Sequence, residues 1–168
     1  MIVPSIAFDS SKNLGRAYNE VMERLRDDDW AVFLDHDAMF TTRSWFTQVE
    51  AAVRTGSFAA LTAVTNRIGN REQIAPGANA RDHDIAHHRA LGDRLYKKHG
   101  STVHDVTRSK RLISGVVIVV SKAAWASCGK FTDGFLGVDN RLHISLRDAG
   151  LRVGIMPGLY VYHWYRGP

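Results

Sequence analysis

Between residues 13 and 28 the chain repeats apolar and polar positions with the period of a helix. Six of its side chains recur at intervals that place them on one helical face: Leu14, Ala17, Tyr18, Val21, Met22 and Leu25. This spacing predicts an amphipathic helix with one face in the core. Residues that begin or end helices indicate further helices along the chain: Ser44 can act as an N-cap, and Gly56 and Gly150 can end helices. Three further segments are predicted as helices: residues 44–55, 121–129 and 140–150.

Short apolar runs separate these helices and read as strands. Four of them are residues 2–8, 30–34, 58–65 and 112–120. The tail, residues 152–165, is predicted to form two short strands around a turn at Pro157-Gly158. Strands that alternate with helices predict an α/β domain with a largely parallel sheet. In such sheets ligands bind beyond the carboxyl ends of the strands.

Composition adds limits to this picture. The chain has 168 residues, of which 45% are apolar, and this size predicts one domain with one core. No stretch approaches the ~18 apolar residues of a membrane span, and the first residues lack the pattern of a signal peptide. We therefore expect a cytoplasmic protein with no membrane span. The single cysteine, Cys128, cannot form an internal disulfide, and redox chemistry is not expected.

The charge indicates an anionic partner. The formal net charge is +5 and the sequence pI is near 9.6, which would suit a nucleic acid, a membrane surface or a phosphorylated small molecule. The basic residues are scattered, with the densest groups at residues 94–100 and 107–111, and no nucleic-acid-binding motif accompanies them. We therefore expect phosphate on a small ligand, and no nucleic acid.

The first candidate site is the sequence DHD at the end of the predicted strand 30–34. Asp35 and Asp37 stand two residues apart, so on an extended segment both carboxylates point to the same side. Together they can hold a hard divalent cation, Mg²⁺ or Mn²⁺, that offsets the cost of burying two anions. The alternative is that the pair only caps the next helix or turn.

Two further residues are candidates for the site, and the sequence leaves more than one role open for each. Asp139 stands just before the helix predicted at residues 140–150, after a glycine-rich approach, where it could be an N-cap, face a cleft, or do both. His163 lies between aromatic residues near the end of the chain. A lone histidine in an aromatic strand is more often a packed core residue than a metal ligand.

Several of these segments together resemble a known family. The stretches NLGRAYN, VFLDHDAMF, SGVVIVVSKAAWASCGKFTDGFLGVDNRLHISLRDAG and LYVYHWYR are similar, in order and over most of the chain, to landmarks of nucleotide-sugar glycosyltransferases with the GT-A fold, closest to glycosyltransferase family 2. The resemblance implies a compact, Rossmann-like GT-A fold with a mixed, mostly parallel sheet flanked by helices. It also implies a metal-dependent transfer of a sugar from a nucleoside-diphosphate donor to an acceptor hydroxyl.

The resemblance also implies roles for individual residues. Asp35 would lie near the donor ribose and the metal, Asp37 would coordinate the metal, and His163 would complete the metal shell. Asp139 would be the general base of an inverting reaction. Three residues match a stretch that borders the nucleotide pocket: Asn13, Gly15 and Asn19.

The chain departs from the family pattern in three places. Only thirteen residues precede Leu14, where family members carry a further strand, helix and base-reading aspartate. Val138 replaces the usual glutamate, and Arg141 stands where a second acidic residue is common. The helix N-terminus and Arg141 should favour the charged form of Asp139, which supports an inverting reaction.

Residues 66–111 read as an insertion of a loop and a helix with weak helical spacing. We expect it to face the acceptor and to be partly mobile, because it is polar and rich in glycine. Its histidines, His83, His87 and His88, are expected to be solvated helix surface rather than a second metal site.

Two other functions remain open at this level. One is a sugar-nucleotide-binding module without turnover. The other is a haloacid dehalogenase-like phosphatase, whose first motif resembles residues 31–41. In that family, however, the motif opens the chain and continues with glycine.

Overall fold

The computed structural model describes residues 1–164, so Tyr165, at the end of the predicted tail, and Arg166, in the LYVYHWYR stretch, lie outside the described residues. The strands are β1 (Ile2–Ser5), β2 (Trp30–Leu34), β3 (Ala38–Phe40), β4 (Ala60–Thr65), β5 (His104–Asp105), β6 (Val117–Ser121) and β7 (Val153–His163). The helices are α1 (Leu14–Glu23), α2 (Trp45–Arg54), α3 (Ile85–His99), α4 (Lys122–Ser127) and α5 (Val138–Asp148), with a short 3-10 helix at Arg71–Gln73. The predicted α/β class is confirmed, whereas β3 and β5 were not foreseen.

The seven strands form one mixed sheet in the order β1-β2-β6-β4-β7-β3, with β5 beside β7. Among the strands named above, which lie within residues 1–164, only β1–β2 and β4–β7 pair in parallel. The pairs β2–β6, β4–β6, β3–β7 and β5–β7 are antiparallel. The sheet is mixed, as expected, but most of its strand pairs are antiparallel, so the mostly parallel pairing that was predicted is wrong. A strand buried on both faces is continuously apolar in either direction, so the pattern of β6 could not reveal that it runs against its neighbours.

The predicted pair of strands in the tail is one long strand. β7 runs from Val153 to His163 without a turn at Pro157-Gly158. Its register against β4 shifts between the pairs Ala63–Met156 and Val64–Tyr160, so the Pro-Gly step is absorbed as an irregularity. This continuity carries the end of β7 to the edge of the sheet where β3 pairs with it.

Helices cover the sheet on both faces. The stripe on α1 faces the core as predicted, with Tyr18 and Met22 buried in the same cluster as Phe33. Helices α4 and α5 join the same cluster, while α2 covers the other face through Val49 and Ala52. Within residues 1–164, no helix is both long enough and apolar enough to cross a membrane.

The segment 66–111 contains the predicted helix, α3, but its histidines differ from the prediction. His88 is buried and accepts a hydrogen bond at Nδ1 from the Tyr160 hydroxyl (2.7 Å), while its Nε2 lies 2.8 Å from the Asp82 carbonyl oxygen. The prediction of solvated surface is therefore wrong for His88. It shares the buried face of α3 with Leu91 and Leu95, a spacing that the weak helical pattern concealed. His87 is exposed, as expected.

Candidate metal centre

Asp35 and Asp37 lie in the turn that joins β2 to β3. The amide of Ala38 donates to the Asp35 carbonyl at 3.1 Å, and the amide of Asp35 donates to the Val116 carbonyl at 3.1 Å. The two aspartates therefore occupy a turn rather than the extended segment that their spacing suggested. The turn nevertheless places both carboxylates in one cluster with His163.

The pairing of β3 with β7 brings His163 to this turn. Ala38 is paired with His163, and the Trp164 amide donates to the Asp37 carbonyl at 2.9 Å. The His163 Nε2 lies 3.3 Å from Asp37 Oδ1 and 4.0 Å from Asp35 Oδ2. One ligand atom from each residue lies within 4.8 Å of the others. Three residues predicted as metal ligands are thus brought together.

Hydrogen bonds fix the orientation of His163. Its Nδ1 lies 2.8 Å from the Arg67 carbonyl oxygen, which can only accept, so Nδ1 carries the proton. Nε2 can therefore offer its lone pair to a cation, and an outer hydrogen bond of this kind is typical of metal-binding histidines. The buried Asn66 holds the His163 backbone twice, accepting from its amide at 2.7 Å and donating to its carbonyl at 3.2 Å.

The electrostatics of the cluster favour an added cation. Burial raises the pKa of Asp35 to about 6, the negative charges of Asp37 and Asp139 add to this effect, and His163 opposes it. Ionising Asp35 therefore costs free energy, which a divalent cation between the carboxylates would offset. Two carboxylates with one imidazole suit a divalent metal that accepts a nitrogen ligand better than Mg²⁺, which prefers oxygen ligands and several waters.

The cluster forms part of the wall of a cavity of about 440 Å³. Asp139 lies on another part of the same wall, so the lining residues include three carboxylates and two imidazoles, those of His36 and His163. Its remaining surface is largely apolar. The apolar and aromatic lining residues are Ala7, Leu14, Tyr18, Leu34, Ile68, Val116, Ile118, Phe135, Leu136 and Val138. The size lies within the usual range for a pocket that binds a small molecule, about 300–1,000 Å³.

Asp139 lies in the first turn of α5, not before it. The N-cap is Gly137, with φ +75°, and the Asp139 carboxylate accepts from the Asn140 amide at 2.8 Å. The Asp139 side chain packs closely against Gly115. A Cβ on Gly115 would lie 3.1 Å from the Asp139 Cβ, so glycine at this position makes room for the aspartate. The N-cap reading of Asp139 is therefore wrong, and its position in the cavity wall supports the cleft reading.

The predicted charge state of Asp139 is also corrected. Burial is the largest influence and raises the pKa of Asp139, although hydrogen bonds from backbone amides, including those of Asn140 and Gly115, oppose it. Arg141 is exposed and is not among the groups that shift this pKa. Loss of solvent around the inward-facing carboxylate outweighs the helix N-terminus, so the neutral form is favoured more than the sequence indicated.

Asn13 and Gly15 do not line the cavity. The Asn13 side chain caps α1 by accepting from the Arg16 amide at 3.0 Å and also accepts from the Gly134 amide at 2.9 Å. A Cβ on Gly15 would lie 1.9 Å from the Thr132 carbonyl oxygen, so only glycine permits this contact. Both residues join α1 to the segment that leads into Gly137 and α5.

Asn19 has a similar position one turn later. Its side chain donates to the Phe131 carbonyl at 2.9 Å and accepts from the Phe131 amide at 3.0 Å and the Trp125 indole at 2.9 Å. From α1, only Leu14 and Tyr18 line the cavity. The contacts of Asn13, Gly15 and Asn19 with a nucleotide stay a prediction. In the structure these residues connect α1 to the segments that form part of the cavity wall.

Asn66 and Tyr18 belong to the site but were not predicted there. Asn66 follows directly after β4, and a polar residue at a strand end is a signal that could have indicated it. Tyr18 fitted the apolar stripe of α1, so its hydroxyl drew no attention.

A larger, open groove of about 880 Å³ lies elsewhere and contains none of the predicted site residues. It is lined in part by Arg108, Arg147 and Arg152 together with Glu72 and Asp105. The Arg152 Nε lies 3.0 Å from Asp105 Oδ2, and so positive and negative charges are mixed there. The smaller cavity has the more specific chemistry.

No protein-family model matches the chain, and no curated protein matches it. The arrangement of Asp35, Asp37, His163 and Asp139 is suited to holding a divalent cation beside a cavity that has a further carboxylate for acid-base chemistry.

Proposed function

We propose that the protein is a metal-dependent glycosyltransferase that moves a sugar from a nucleoside-diphosphate donor to an acceptor hydroxyl. The observation that carries the proposal is the convergence of Asp35, Asp37 and His163 on a cavity that also contains Asp139. The resemblance of the chain to GT-A glycosyltransferases of family 2 supports it, and the α/β fold with a mixed sheet is compatible with it.

Asp35, Asp37 and His163 would hold the cation. When bound, Mn²⁺ would supply positive charge that stabilises the leaving diphosphate. The chain prepares this position through the Arg67 carbonyl, which fixes the His163 tautomer, and Asn66, which holds the His163 backbone. These groups keep the imidazole oriented before any ligand binds.

Asp139 would accept the proton of the acceptor hydroxyl. Its raised pKa brings the carboxyl closer to the working range of a general base, which is most effective when its pKa lies near the ambient pH. The hydrogen bonds from backbone amides keep one orientation of the carboxylate. A base in this position fits a single in-line displacement with inversion at the sugar.

Residues 66–111 would contribute to the acceptor side. From this segment, Ile68 and Gly69 line the cavity. A larger part of the segment, helix α3, packs against β7. In this proposal, the first residues of the segment would therefore be the ones that contact an acceptor in the cavity.

Metal-dependent release of nucleoside diphosphate from a panel of sugar nucleotides tests the proposal. We expect release with Mn²⁺ and an acceptor hydroxyl, loss of release in EDTA, and loss in the Asp37→Asn variant. Asp27→Asn, a change at an exposed carboxylate outside the cavity, is the matched control and should keep activity. Full activity of Asp37→Asn in EDTA would refute the metal site.

Asp139→Asn separates the chemical step from binding. It preserves shape but cannot take a proton, so the rate should fall by about 10² to 10⁴ while donor affinity is nearly kept. Proton NMR of the product should show an inverted anomeric centre. Binding without release would instead support a non-catalytic module, and release of inorganic phosphate from a phosphomonoester would support a phosphatase.

A further inference from the structure

Tyr18 is held rigidly beside the candidate metal centre. The side chain is 3% exposed, and its ring centroid lies 4.2 Å from that of Phe33 and 5.0 Å from that of Phe131. Phe33 belongs to β2, the strand that leads into Asp35. Phe33 and Phe131 also contact each other, with ring centroids 5.8 Å apart, so the three rings form one cluster that restricts the direction of the Tyr18 hydroxyl.

The Tyr18 hydroxyl has no hydrogen-bond partner among residues 1–164, while Tyr18 lines the cavity. Two other tyrosines on β7 differ in this respect. The Tyr160 hydroxyl is bonded to His88 at 2.7 Å, and the Tyr162 hydroxyl to His83 at 2.7 Å. Among residues 1–164 the only fully buried side-chain nitrogen or oxygen atom without a partner is Gln48 Oε1, so the Tyr18 hydroxyl is accessible from the cavity, where a bound ligand can supply its partner.

The charges around Tyr18 determine which partner fits. Burial raises the pKa of Tyr18, and the negative charges of Asp35 and Asp139 raise it further. The hydroxyl therefore stays protonated and can donate a hydrogen bond. The two carboxylates can accept one when ionised. A ligand group that carries oxygen acceptors and hydroxyl donors, such as a sugar nucleotide, complements this arrangement.

We propose that the Tyr18 hydroxyl is a ligand-contact group that donates a hydrogen bond to an oxygen of the bound sugar nucleotide. The proposal rests on the proposed function and adds a contact that does not involve the metal. It predicts that Tyr18 contributes to the affinity for the organic ligand and contributes nothing to the affinity for the cation.

Tyr18→Phe tests the contact because it keeps the ring and removes only the hydroxyl. A thermal-shift panel of sugar nucleotides with uridine, guanosine, cytidine, thymidine and adenosine bases, with Mn²⁺, first identifies one that the wild-type protein binds. Calorimetry with that sugar nucleotide should show about tenfold weaker binding to Tyr18→Phe. Binding of Mn²⁺ alone and the melting temperature of the ligand-free protein should be unchanged, because no internal hydrogen bond is lost.

Tyr160→Phe is the matched control, with the opposite pattern. It removes the hydrogen bond to the buried His88, so the melting temperature should fall by about 2–4 °C or more. Its affinity for the same sugar nucleotide should equal that of the wild-type protein. The two variants together separate a contact with the ligand from a contact within the fold.

Each outcome decides between the two proposals. Equal affinity of Tyr18→Phe and wild type for the sugar nucleotide would overturn the Tyr18 contact and leave the proposed function standing. A lower melting temperature of the ligand-free Tyr18→Phe protein, together with weaker binding of the sugar nucleotide, would assign the hydroxyl a structural role. That result would also overturn the contact. Failure of the wild-type protein to bind any sugar nucleotide on the panel would overturn the proposed function, and the Tyr18 contact with it.

Discussion

Replacing Asp35 by asparagine should stabilise the metal-free protein near neutral pH. The pKa of Asp35 is about 6 in the folded protein, against an ordinary value of 3.8, mainly because the carboxyl is buried. Since the folded state holds this proton more tightly than the unfolded chain, the stability of the wild type falls as pH rises from about 4 to about 6. Asparagine has no charge to bury and escapes this loss.

The magnitude follows from the two pKa values. Full ionisation of a carboxyl with these values would destabilise the fold by about 3 kcal/mol at most. About 2 kcal/mol of this develops between pH 4.5 and pH 7.5. The Asp35 side chain is 33% exposed, so solvent screening reduces the expected difference to about 1 kcal/mol. For a protein of this size that is about 2–4 °C in melting temperature.

The assay is thermal or urea unfolding of wild type and Asp35→Asn in EDTA at pH 4.5 and pH 7.5, with the exposed Asp27→Asn as control. The advantage of Asp35→Asn over wild type should be larger at pH 7.5 by the amount given above, and Asp27→Asn should show no such change. Saturating Mn²⁺ at pH 7.5 should reverse the order, because a cation at 100 times its Kd stabilises the wild type by about 2.7 kcal/mol. A difference independent of pH, or a variant that loses stability as pH rises, would refute the reasoning.

Three further substitutions probe the scaffold of the site. Gly15→Ala should destabilise the protein by about 3 kcal/mol or more in urea unfolding, because the new Cβ would lie 1.9 Å from the Thr132 carbonyl oxygen. Gly137→Ala meets no atom within 4 Å but needs φ +75°, so its cost in the same measurement should be only about 1–2 kcal/mol. Asn66→Ala should cost about 2–3 kcal/mol and weaken Mn²⁺ binding in calorimetry, because both backbone bonds to His163 are lost. Unchanged Mn²⁺ affinity in Asn66→Ala would show that His163 is oriented without it.

The sequence alone determined the features that depend on neighbouring residues. The spacing of Leu14, Tyr18 and Met22 was sufficient to predict α1 and its buried face, because helix periodicity shows which side chains share one side. The apolar run before Asp35 was sufficient to place a carboxylate at a strand end. Such patterns show which face of an element is buried, but they do not show which other segment packs against that face.

The tertiary structure decided what depends on pairing between distant segments. The antiparallel placement of β6 could not be read from residues that are apolar in either direction. His163 meets Asp37 only because β3 pairs with the end of β7, and the pKa of Asp139 rises because α5 turns that carboxyl into the cavity. The pKa values of these groups depend on how deeply they are buried and on how far they lie from other charges. Both arise from the packing of the whole chain rather than from any local spacing.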